Sequence, residues 1–167
     1  MYENFQKIFE FFSEKYLEIM LNAYNTRFKQ ILLSNDLICL LNNSCFYNEK
    51  IRNISLGLIK VYSDNFPFIL NEYEIFEYNV NVLGKLVSQT VSPYNYFINR
   101  KKIDNSRSYY LEFSSEQAVN KEILTKLSEF FERGLQKSHI INNNNIIYNM
   151  SNYINKYSLN ALGNSNT

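Results

Sequence analysis

Tryptophan is missing from this chain, and histidine, cysteine and proline are nearly so, with one His, two Cys and two Pro in 167 residues. The single His139 has no cysteine or carboxylate at metal-ligand or triad spacing, so neither a zinc site nor a histidine-based nucleophile is assembled around it. It reads as a helix-end residue, where a cation suits the carbonyl terminus. Cys39 and Cys45 are too few for a disulfide framework, which points to a reducing compartment and to buried structural thiols. Gly57, Gly84, Gly134 and Gly163 stand alone, and no glycine-rich phosphate loop or kinase-type catalytic loop occurs. The charge is balanced, 17 basic against 16 acidic residues, which leaves no broad basic face and argues against nucleic acid as a partner. No apolar run approaches the roughly 20 residues that span a bilayer. The start, "MYENFQKIFEFF", carries two glutamates and no basic segment, unlike a secretory signal. A soluble, cytoplasmic protein is the expectation.

What the chain does have is aromatic and aliphatic residues at helical spacing. Phe5, Ile8, Phe9, Phe12, Tyr16, Ile19 and Met20 recur on one stripe, with Glu10, Glu14, Lys15 and Glu18 off it. A second stripe runs through Phe28, Ile31, Leu32, Leu37, Ile38, Leu40 and Leu41, with a kink or break expected at Ser34-Asn35-Asp36. Asn48 is placed to cap a third helix, with Glu49 just inside it. That helix carries Ile51, Ile54, Leu58, Val61 and Tyr62 and ends before Pro67, where a new helical turn begins. Ile75, Phe76, Val82, Leu83, Leu86 and Val87 mark a fourth, fading near Pro93. Ser114 and Gln117 fit a capping box, opening a fifth helix with Val119, Ile123, Leu127, Phe130, Phe131 and Leu135. The run Ile141–Asn145 reads as a loop insert, followed by a last helix with Ile146, Ile147, Met150, Tyr153, Ile154 and Tyr157.

The pattern predicts an all-α fold of about six antiparallel helices arranged as stacked helical hairpins. An irregular HEAT-like α-solenoid segment and a closed helical bundle both satisfy it. The organisation reads as a single helical domain over residues 1–167. Within it, residues 93–113 form a long polar connection between an N-terminal four-helix part and a C-terminal two-helix part.

No residue stands out as catalytic, cofactor-binding or metal-ligating. Glu72, Glu74 and Glu77 belong on a solvated helix face. The basic cluster Arg100, Lys101, Lys102 and Arg107, with Asp104 among them, is the candidate for contact with anionic lipid headgroups or an acidic partner. Phe46, Tyr47, Tyr94, Tyr96 and Phe97 lie outside the stripes and are candidate docking residues for protein partners.

The order of several features resembles the helical region upstream of the kinase domain in type III alpha phosphatidylinositol 4-kinases. A helix ends in Asp64-Asn65-Phe66-Pro67, and a long helix and a variable loop follow. Then comes the extended segment and polar helix start "YYLEFSSEQAVNKEIL". After "LTKLSEFFERGLQKS" a short helix carries Tyr153-Ile154-Asn155-Lys156, and the chain runs on into "LNALGNSNT". The resemblance implies a non-catalytic scaffold segment of an enzyme that uses ATP and Mg to make phosphatidylinositol 4-phosphate. It also implies protein partners held through helical surfaces and a peripheral place at the plasma membrane. No catalytic residue of that family maps onto this chain, which therefore needs no cofactor of its own. A free-standing helical adaptor, unrelated to lipid kinases, is the alternative.

Overall fold

The structure, a computed structural model, describes residues 11, 14–16, 18–22, 27–91, 100–102, 110–141 and 143–163. It is all-α. Residues 14–16 and 18–22 are helical and precede α1, Arg27–Ser44. Then come α2, Glu49–Asn65; a 3-10 turn, Pro67–Asn71; and α3, Tyr73–Val91. Two short strands, β1 (Arg100–Lys102) and β2 (Tyr110–Glu112), precede α4, Gln117–Ile141, and α5, Asn143–Gly163.

The helix boundaries follow local chemistry. Asn48 caps α2, its side-chain oxygen accepting from the backbone N–H groups of Lys50 at 3.1 Å and Ile51 at 3.4 Å. This satisfies donors that have no partner inside the helix. At the other end the Phe66 N–H closes on the Tyr62 carbonyl at 2.8 Å. Pro67 then takes the first position of the 3-10 turn, where its missing N–H costs nothing.

Two compact units make up the chain, Met1–Asn35 and Asp36–Thr167. In the first, Met20, Lys29 and Leu33 are buried, whereas Tyr16 and Ile19 of the expected stripe are exposed. Of the kink or break expected at Ser34-Asn35-Asp36, the break does not form, since α1 is helical from Arg27 to Ser44. The trio keeps its polar groups out of the buried stripe, which runs through Leu33, Leu37 and Leu41. The unit boundary nevertheless falls inside that polar trio.

In the second unit, α3 packs along α4, and both pack on the 3-10 turn. Helices α2 and α5 add to α4, and α5 also touches α3 and the 3-10 turn. Ile59, Tyr62, Phe66, Ile69, Ile75, Val82, Leu86, Ile123 and Leu127 supply the core. The rings of Phe76 and Phe131 meet at 5.8 Å between centroids, a separation within the range aromatic pairs prefer. On α2 the buried set is Leu56, Ile59 and Tyr62 rather than Ile51, Ile54 and Leu58. Ile51 is exposed. The helix is rotated so that Tyr62 reaches Asp36 with its hydroxyl at 3.2 Å.

At Gly134 α4 comes close to the 3-10 turn. A Cβ there would lie 2.0 Å from the Cδ1 of buried Leu70. Glycine normally weakens a helix interior, so here the close approach explains it.

The connection over residues 93–113 is not polar throughout. Strands β1 and β2 pair antiparallel, Arg100 with Glu112, Lys101 with Leu111 and Lys102 with Tyr110. Leu111 and Phe113 are buried, at 0% and 1% exposure. Helices α3 and α4, on either side of this segment, pack directly on each other.

The Asn run is a further correction. Asn143, Asn144 and Asn145 open α5 instead of forming a loop. Asn is a poor residue for a helix interior, but first-turn positions tolerate it because the backbone N–H groups there need other acceptors.

Candidate interaction surface

Helix α5 reaches the second unit through one side. The Tyr153 ring meets Phe76 edge-on at 6.3 Å, and its hydroxyl donates to the Asn81 side-chain oxygen at 3.3 Å. Lys156 forms an ion pair with Glu77 of α3. Asn149, one turn before Tyr153, is buried. Residues 149, 153 and 156 share one helical face, as the three-and-four spacing requires.

A neighbouring side of α5 is apolar and open. Ile147 is 61% exposed, Met150 50% and Ile154 58%. They too follow a three-and-four step, rotated roughly a third of a turn from the packed side at 100° per residue. Exposed Asn144, Ser151 and Asn155 flank them. Lys156 is the one charged residue in α5, and it is engaged with Glu77. The result is an uncharged apolar strip about two turns long.

The sequence pattern gives the last helix Ile146, Ile147, Met150, Tyr153, Ile154 and Tyr157 as its apolar set. The structure divides it. Ile146 and Tyr153 are partly covered, while Ile147, Met150 and Ile154 are not. Tyr157 lies where only the backbone is described.

A second exposed apolar spot sits before α2. Tyr47 is 65% exposed, with Ile51 close by in sequence and also exposed. The Tyr47 ring tilts against Phe46, centroids 4.4 Å apart. Beneath this loop the buried Arg52 donates from one guanidinium nitrogen to the carbonyls of Phe46 at 3.2 Å and Tyr47 at 3.3 Å. Of the candidate docking residues, Tyr47 is presented and Phe46 is half-covered. Tyr94, Tyr96 and Phe97 lie outside the described residues.

The basic cluster is only partly located. Arg100, Lys101 and Lys102 form β1, so they are consecutive positions of a paired strand rather than of a free loop. Arg107 lies outside the described residues. His139 falls in the last turn of α4.

The cysteines differ from each other. Cys45 is fully buried and its thiol is pushed up to about 12, with burial opposing the charged form and a weak contact to Ser44 partly offsetting it. Such a thiol is unreactive at neutral pH. Cys39, expected to be buried, is exposed on α1, its sulfur accepting from the Asn43 amide at 3.6 Å. Leu37, Ile38 and Leu41 take the buried positions around it in sequence.

The capping box is replaced by a bridge between helices. The Ser114 hydroxyl accepts from the Glu116 N–H at 3.1 Å, and the Gln117 side chain donates to the Thr90 carbonyl at the end of α3. Near this junction Gln89 Nε2 and Asn120 Oδ1 are buried without a protein hydrogen-bond partner. Sequence reading missed both, since each amide falls between apolar residues of its stripe.

Among the described residues, no group of three or more His, Cys, Asp and Glu is placed to hold a metal ion. No helix among them is long and apolar enough to cross a membrane. No protein-family model matches the chain, and no curated protein does.

Proposed function

We propose that this chain is a non-catalytic helical scaffold whose work is to bind protein partners through a helix face. The supporting observation is the strip Ile147, Met150 and Ile154, apolar and uncovered on a helix whose other side is anchored. Apolar residues scattered singly over a surface need no explanation, but a contiguous row on one helix is a docking feature. The lipid-kinase context rests on the order of motifs between about Ile54 and Asn164 and belongs to the same proposal, with this segment as a spacer and docking surface. The basic strand Arg100–Lys102 adds a place for anionic lipid in that reading.

The test uses two differently tagged copies of the full chain expressed together, as wild type and as Ile147→Glu/Ile154→Glu. Proteins that copurify with the wild type, the second tagged copy included, should be lost with the variant. Binding should be recovered with purified components. An unchanged set of partners in the variant would overturn the proposal, as would substrate turnover by the purified chain.

A further inference from the structure

We infer that Gln89 of α3 and Asn120 of α4 form a buried site for one water molecule, which links the two helices through their side-chain amides. The inference is independent of the docking role proposed for α5.

Position is the first argument. Phe76, near the start of α3, meets Phe131 of α4, while Thr90, at the end of α3, accepts from Gln117 at the start of α4. The two helices therefore run antiparallel. Gln89 adjoins Thr90 and continues the buried stripe of Val82 and Leu86. Asn120 lies one turn after Gln117 and begins the buried stripe of Ile123 and Leu127. Both amides thus occupy the end layer of the seam, at positions that the rest of the seam fills with hydrocarbon. Neither reaches the surface, since Gln89 is 6% exposed and Asn120 3%.

Hydrogen-bonding chemistry is the second. Asn120 donates from Nδ2 to the Ser114 carbonyl at 2.9 Å. A carbonyl can only accept, so the other end of that amide is its oxygen. The oxygen meets no protein donor, and Gln89 Nε2 meets no protein acceptor. Buried polar atoms are nearly always satisfied, and internal water commonly serves those that the protein leaves unmet.

The same pair of atoms selects the ligand. Asn120 Oδ1 would repel an anion, and the N–H groups of Gln89 Nε2 would repel a cation. A neutral molecule that both donates and accepts suits the two together. Both atoms are sealed from bulk solvent, which favours the smallest such molecule. A water that accepts from Gln89 Nε2 and donates to Asn120 Oδ1 meets these conditions. It joins the helices where the chain leaves α3 and returns as α4, whereas α5 is anchored towards the other end of α3, at Phe76, Glu77 and Asn81.

Water-selective NOE and ROE spectra of the isotope-labelled full chain test the site directly. The side-chain amide protons of Gln89 should show cross-peaks to water with opposite signs in the two spectra, which marks a bound molecule and not proton exchange. Gln89→Met keeps the length and removes the donor, and Asn120→Leu removes the acceptor. Each should raise the unfolding equilibrium constant roughly tenfold, because each leaves the other amide unmet. The double variant should fall at least fivefold short of the product of the two single effects, since no unmet partner remains. Folded wild type without the water cross-peaks overturns the inference, and so do losses that multiply in full.

Discussion

Helices α4 and α5 follow one another almost without a gap and carry similar apolar spacing, yet they end in different situations. Along α4 the row Ile123 and Leu127 is buried and the opposite side shows Lys121, Glu122, Glu129 and Glu132 to solvent. Along α5 the packed side is held by Tyr153, Asn149 and Lys156, and the side away from it displays Ile147, Met150 and Ile154. The first is an amphipathic helix with its partner in place. The second has two usable faces and one partner. The difference lies in composition as much as in packing, because α4 has charged residues to put in water and α5 has almost none.

The most severe way to probe this contrast is to truncate equivalent apolar residues. Leu127→Ala should cost about 2–5 kcal/mol of unfolding free energy, since it leaves a cavity in a packed core. Ile154→Ala should stay within about 0.5 kcal/mol. Urea titrations with unchanged slope measure both, and a large loss at Ile154 would show that the strip is covered in solution.

Next comes the tight spot of α4. Gly134→Ala should destabilise by about 1–3 kcal/mol, because the new methyl meets Leu70 and repacking must outweigh any gain in helix propensity. Gly84→Ala on α3, where a Cβ meets nothing within 4 Å, should instead stabilise by about 0.5–1 kcal/mol. Opposite signs from the same substitution in thermal melts are the check.

The smallest effect concerns the ion pair of Asp64 with Lys137, which joins the end of α2 to α4 at 2.5 Å. The hydrogen bond from Lys137 holds the Asp64 carboxyl below its ordinary value, against partial desolvation. A carboxyl lowered in the folded state contributes stability above its unfolded-state pKa and loses it as pH falls through the folded-state value. Both side chains are more than a third exposed, so solvent screening limits the pair to about 0.2–1 kcal/mol. Asp64→Asn should therefore lie slightly below wild type at neutral pH and converge with it in acid. A constant gap across the titration would remove the ion pair as its cause.

Much of the fold was legible before any coordinates. Asn48 as a cap, the stop before Pro67, the helix start near Gln117 and the all-α class follow from side-chain chemistry acting within a few residues. The errors came where distant residues intervene. Ser34-Asn35-Asp36 looks like a break, but nothing within the trio reveals that Tyr62 donates to Asp36 from another helix. Gln117 matches a capping box, yet its amide goes to Thr90, across to α3. Gly134 looked incidental until Leu70 came beside it. The basic residues Arg100–Lys102 looked like loop cations, and strand pairing with Tyr110–Glu112 is a contact across a long separation.

Spacing of apolar residues says how they are arranged around a helix axis, and capping residues say where that axis begins and stops. Both are local properties, so the helical class and most boundaries are written into the chain. Which side of each helix is covered depends on neighbours brought from elsewhere, and periodicity holds no information about them. That is why one stripe on α5 divided into a packed side and an open one, and why the surface proposed to bind emerged only once Phe76, Glu77 and Asn81 had taken their places against the other.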